Sequence, residues 1–159
     1  MTQDAAFEDG GEKPLNLGAL DADDLGVISA LVQDAVFPVT EMTWNAKQRR
    51  FALLLNRFRW EDLPKAERRG RKPERVQSVL VMENVMRVAS SGVDRADKDI
   101  ILSLLALEFE AGEDGTGALI VTLAGDGAIR LDVEALEVTL KDVTRPYLAP
   151  SGQAPRHPE

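Results

Sequence analysis

The sequence predicts an α+β fold: a curled antiparallel sheet or partial barrel of six or seven strands, with one N-terminal helix packed on it. Three observations carry this. One capped helical stripe lies near the N-terminus, short segments rich in Val, Ile and Leu follow one another between Gly turns, and the apolar alternation changes phase once, late in the chain.

The helix is written in "LDADDLGVISALVQDAV", residues 20 to 36. Asp21 can cap it and Asp24, three residues on, can answer as a weak capping box, while Leu20 and Leu25 occupy the staple positions. Leu25, Ile28, Leu31, Val32 and Ala35 make one apolar stripe, the acids of the first turn suit the positive end of the helix dipole, and Pro38 ends the run. Such a stripe needs a surface to cover, and a sheet is the candidate.

Val39 to Trp44 reads as the first strand, Asn45-Ala46-Lys47-Gln48 as a turn and Arg49 to Phe58 as the returning strand. Phe51, Leu54, Leu55 and Phe58 also fit a helical stripe, but the short β-favouring segment before them and the turn between favour a hairpin. Val76 to Met82, bounded by Pro73 and Glu83-Asn84, is a third strand that continues or bends through Val85 to Ala89. Ile100 to Leu107 is apolar on both faces, which suits a buried central strand or a helix; alternation alone leaves both open. The turn "GEDGTG" and the following "ALIVTLAGDGAIRLDV" favour a three-strand meander, with Gly125-Asp126-Gly127 as its second turn. Ile129, Leu131 and Val133 alternate in one register and Leu136, Val138 and Leu140 in the other, so a β-bulge near Glu134-Ala135 is expected to kink the last strand and curl the sheet.

At 159 residues the chain fits one domain. Residues 1 to 14 are small and polar and residues 149 to 159 are Pro-rich, so both read as tails around a folded body of 15 to 148. There is no Cys, the N-terminus is acidic, and no stretch approaches 18 consecutive apolar residues. A cytoplasmic, non-spanning protein is the expectation.

The same inventory limits the chemistry. Without Cys, and with His157 of the Pro-rich tail as the one His, neither a nucleophilic triad nor a zinc-ligand spacing has a candidate set. Asp94, Asp97 and Asp99 lie close enough to approach a hard cation, but they lack EF-hand spacing and read as a polar loop. Glu108 and Glu110 share one face of a strand, as an exposed charged edge does. "GEDGTG" and "AGDG" lack the following helix and Lys of a phosphate loop. No catalytic residue and no cofactor are expected.

Charge is unevenly spread. The formal net charge is -8, yet Lys47 to Arg75 holds eleven basic residues against four acids, a local +7 that leaves -15 on the remainder. Glu61 to Glu74 is a fourteen-residue connection whose "PKAERRGRKPE" contains no apolar side chain larger than Ala. It reads as a solvated excursion, as a basic loop contacting an anion or nucleic acid, or as a cationic segment lying against the acidic body. The candidate binding residues are Trp60, Arg68, Arg69, Arg71, Lys72 and Arg75, with Trp60 as a stacking platform beside the cations.

Taken together, "ALDADDLGVISALVQDAV", "RRFALLLNRFRWE", "LSLLALEFEAG" and "GAIRLDVEALEVTLKDV" resemble a family of short alphaproteobacterial proteins known only as a domain of unknown function. The likeness spans about residues 15 to 145. It implies a bacterial cytoplasmic protein of one domain and assigns no residue a role.

The leading expectation is therefore a non-catalytic interaction or accessory module with an unknown protein partner. Weak nucleic-acid or anion binding through residues 61 to 75 is the alternative, and a carboxylate-dependent metal enzyme the third. No membrane contact is expected, and the two-sided apolar segment Ile100 to Leu107 leaves a homodimer open.

Overall fold

Asp21 starts the first helix, α1 (Ala22–Leu31), as expected: its carboxylate accepts the Asp24 amide at 2.8 Å. The computed structural model describes residues 13 to 148, so the expected tails lie almost wholly outside the described residues. The helix is shorter than its apolar stripe. After Leu31 the chain turns through Asp34, at φ 65°, and the Asp34 amide donates to the Leu104 carbonyl while Leu104 donates to that of Ala35, both at 2.8 Å. Val32 and Ala35 are buried in this link, not in helix. Leu20 is 74% exposed, so the expected staple is not formed.

Among the described residues there are eleven strands and two helices, where six or seven strands and one helix were expected. The excess comes from short pieces that pattern counting cannot see: β1 (Asn16–Ala19), β2 (Val36–Pro38) and β11 (Tyr147–Leu148). The expected strand from Val39 to Trp44 divides into a 3-10 turn (Val39–Glu41) and β3 (Met42–Asn45), which pairs with β4 (Arg50–Phe58) as the expected hairpin. Then come β5 (Glu74–Met82), β6 (Val85–Ser91), β7 (Ile101–Ala111), β8 (Gly117–Leu123), β9 (Gly127–Val133) and β10 (Val138–Asp142). The order across the sheet is β1-β10-β5-β4-β2-β7-β8-β9-β6, with β11 on β5 and β3 on β4, and every pairing is antiparallel. The sheet is curled but unclosed.

The segment read as Ile100 to Leu107 is strand from Ile101 onward, central between β2 and β8. Its ambiguity has a cause in the register, which shifts between Leu104 and Ala106 and so lets Leu104 and Leu107, three residues apart, both enter the core. A second shift, between Val85 and Arg87, does the same for Val85 and Val88. The bulge expected near Glu134-Ala135 is absent. There the chain leaves β9 and crosses to β10, which lies between β1 and β5, so the phase change marks the end of one strand and the start of another.

β2 and β3 run along the same edge of β4, separated by the 3-10 turn. β2 passes its other edge to β7, whereas β3 has no strand on its far side. Before β2 begins, α1 covers the continuing edge of β7, and the Leu107 amide donates to Ser29 Oγ at 2.9 Å. Leu25, Ile28, Leu53, Leu80, Leu104 and Leu131 fill the space enclosed, and burial of each such side chain contributes about 1.5–3 kcal/mol. No helix among the described residues is long and apolar enough to cross a membrane.

The β7–β8 hairpin depends on Gly117, where a Cβ would stand 2.5 Å from the Glu110 carbonyl oxygen and 2.6 Å from the Phe109 ring. Replacement of Gly117 by Ala is expected to lower stability by about 1–3 kcal/mol, read as a drop in the urea midpoint at unchanged slope.

Candidate functional site

Strand β4 points Phe51, Leu53 and Leu55 into the core, and its next inward position is Arg57, fully buried at 0% exposure. The strand register sets its partners. Ser78 follows the inward phase of β5 and Asp142 that of β10, and the two strands pair Asp142 with Ser78 directly. Asp142 accepts from Arg57 Nη2 at 3.0 and 3.1 Å, from Ser78 Oγ at 2.6 Å and from the Leu15 amide at 2.9 Å. Glu61 accepts from the far side of the same guanidinium at 2.9 and 2.8 Å. Burial pulls the Arg57 pKa down, but the hydrogen bonds and charges of Glu61 and Asp142 outweigh it and hold the guanidinium above its ordinary value. Among the described residues no buried side-chain nitrogen or oxygen lacks a hydrogen-bond partner, so this cluster is saturated and structural.

Beyond Phe58 the chain carries the ionic network outward. Arg59, 3% exposed, pairs with Asp62 at 3.3 Å and with Glu74, and the Arg59 amide donates to the Glu74 carbonyl. Asp62 precedes α2 (Leu63–Arg68) but caps none of its amides; its carboxylate instead takes Arg71 in a two-point contact at 3.1 and 3.3 Å. That bond raises the Arg71 pKa. α2 ends with Gly70 at φ 65°, the Gly70 amide on the Glu67 carbonyl and the Arg71 amide on that of Ala66, the two bonds of a Schellman close.

The expected solvated connection is thus a 3-10 turn (Trp60–Asp62) and a helix, braced at its base by buried ion pairs. Pro64 in the first turn, Gly70 just past the end and Pro73 beyond it are the sequence signals of that helix. The shortage of large apolar side chains concealed it: Leu63 is the one it has, and Ala66 alone of the helix is buried.

The structure divides the six candidate residues. Trp60 is half-buried, its indole N–H donating to the Gln33 carbonyl at 2.9 Å and its ring set edge-on to Phe58 at 4.7 Å. Arg71 is held by Asp62. Arg75 donates to the backbone and side-chain oxygens of Asn56 at 3.3 Å and lies 6.0 Å over Phe58, with burial lowering its pKa. Arg68, Arg69 and Lys72 are exposed, and their side chains have no hydrogen-bond or ion-pair partner among the described residues. Sequence reasoning missed Arg57, Arg59, Asp62 and Asp142. The inward phase of β4 marks Arg57, but nothing local marks Asp142 as its partner, 85 residues away.

The other candidates resolve as turns. Asp94 accepts the Ala96 amide and Asp97 the Asp99 amide, and among the described residues no group of three or more His, Asp or Glu is placed to hold a metal. Between β3 and β6 lies a cavity of about 230 Å³.

A family model described as "Protein of unknown function (DUF2948)" matches residues 15–157. The chain matches no curated protein and no solved structure.

Arg57→Ala is expected to cost about 3–5 kcal/mol in urea unfolding, because it strands the Asp142 carboxylate, whereas the double change Arg57→Met with Asp142→Leu recovers part of that loss. Tyr147, the one tyrosine, gives a pH test: its hydroxyl accepts from Asn56 at 2.6 Å, and burial raises its pKa against the opposing charge of Arg75. A raised value means stability that is complete below the ordinary tyrosine pKa of about 10 and lost as pH climbs through the folded value. Phenolate absorbance should therefore appear above pH of about 10 in the folded chain and shift back down in urea.

Proposed function

We propose that this chain, which belongs to the DUF2948 family of proteins of unknown function, is a non-catalytic cytoplasmic interaction module that docks an acidic segment of a partner protein on the basic face of α2. One observation carries it. Arg68, in the last turn of a short helix, and Arg69 and Lys72, just past its end, are unpaired, and the helix is braced by Arg59, Asp62, Arg71 and Glu74, in a chain whose net charge is -8. Cations held in place this way lose less freedom on binding than cations on a flexible loop, and arginine suits carboxylates in two-point contacts.

A nucleic-acid strand gains less from the same face. Trp60 is engaged by Gln33 and Phe58, so its ring offers little free face for stacking, and Arg75 would have to leave Asn56. The remainder of the chain carries -15, which repels a long polyanion that overruns the patch.

The test is fluorescence anisotropy at about 50 mM salt with a labelled oligo-glutamate peptide and, in parallel, labelled single- and double-stranded DNA. The peptide is expected to bind, with an affinity that falls as salt rises. Replacing Arg68, Arg69 and Lys72 together by Ala should weaken it about tenfold with an unchanged circular dichroism spectrum. Tighter binding of DNA than of peptide would transfer the site to nucleic acid, and no binding of either would end the proposal.

A further inference from the structure

We infer a second, separate site in the seam where the sheet fails to close: the cavity between β3 and β6 binds a small medium-chain carboxylate, chain inward and carboxylate on Arg95. The 3-10 turn Val39–Glu41 steers β3 away from β7, and β6 pairs only with β9, so two strand edges line an opening that no element fills. Its walls continue the inward faces of both halves of the sheet: Val39, Met42 and Phe51 from one, Val88 and Ile129 from the other. Trp44 lies on the same face, paired across from buried Phe51, yet is 37% exposed because nothing covers it.

The polar side-chain groups of the lining residues are the Ser90 hydroxyl, the Arg95 guanidinium and the Trp44 indole N–H. Arg95 has no hydrogen-bond or ion-pair partner among the described residues, although acids surround it in sequence. Asp94 and Asp97 each turn one carboxylate oxygen to a backbone amide of their own turn, at 3.0 and 3.1 Å, and neither pairs with Arg95. The base of the loop is fixed as well: Gly92, at φ 69°, packs where a Cβ would stand 2.8 Å from the Asp126 carbonyl oxygen. An unpaired guanidinium at the rim of a cavity whose surface is part apolar and part polar is complementary to an apolar chain that ends in a carboxylate. A volume of about 230 Å³ lies below that of drug-sized pockets and suits one short unbranched chain.

The site shares no residue with the α2 face, so the two proposals fail independently. The probe is octanoate, of about ten non-hydrogen atoms, titrated into the full chain by calorimetry to about 10 mM, with 1-octanol as the uncharged control. Saturable octanoate binding is expected, at least about tenfold tighter than that of octanol. Arg95→Gln, at an exposed position, should bring octanoate to the octanol level and leave octanol unchanged. Val88→Phe should fill the cavity and weaken both ligands, and tryptophan emission should respond to octanoate in the parent chain but not in Trp44→Phe. No saturable heat, equal binding of the two ligands, or octanoate binding unmoved by Arg95→Gln would each overturn the site. If Val88→Phe does not fold, the Arg95→Gln comparison decides.

Discussion

The buried contact between Arg57 and Asp142 is the constraint on which the rest of the structure depends. It joins β4 to β10 across β5, takes in Ser78, and fixes the chain just before β1 through the Leu15 amide. Each ion taken out of water costs several kcal/mol, so the contact is tolerable only when every donor and acceptor is placed. That makes it a demand on register. A slip of one residue in β4 would turn Arg57 out to solvent and bring Leu54 and Asn56 inward, losing the ion pair and the apolar packing together.

The same demand explains how a cationic segment can sit in an acidic chain without being a loose appendage. Its charges are used at three depths. Arg57 and Arg59 are consumed inside the fold, Arg71 and Arg75 are held at its margin by Asp62 and Asn56, and Arg68, Arg69 and Lys72 remain at the surface. The inner layers fix the geometry of the outer one, because α2 is tied at its start through Asp62 and just past its end through Arg71 and Glu74. Earlier in the cationic run, at the β3–β4 turn, Arg49 meets Glu134 and Arg50 meets Glu83.

Two gaps of the curled sheet are treated differently. Beyond β2, the exposed edge of β7 is covered by α1, whose Leu25, Ile28 and following Val32 complete the core. Beyond the 3-10 turn, the edge of β3 is left uncovered, and the inward faces of β3 and β6 meet at a cavity. An open strand edge ordinarily invites pairing with another chain. Here β3 is only four residues long and is followed by the turn through Ala46 to Arg49, which limits the edge it offers.

By itself the sequence determined the elements whose signals are local. Asp21 before an apolar stripe specified the first helix, Gly-containing turns specified the meander of β7, β8 and β9, and the β3–β4 hairpin followed from a turn between two apolar runs. The family membership was legible as well, in stretches spread along the chain. What failed did so where a short-range pattern had two structural causes. A three-residue spacing came from a bulge within β7 as readily as from a helix, and a phase change near Glu134 came from a crossing between distant strands instead of a bulge. Only the tertiary structure decided which cations are free: Arg57 is met by Glu61 four residues on and by Asp142 85 residues away, and Arg59 and Arg71 by acids of the same connection whose pairing depends on how that connection folds. A basic run reports how much charge a segment carries. Burial and register decide how much of it remains for a partner.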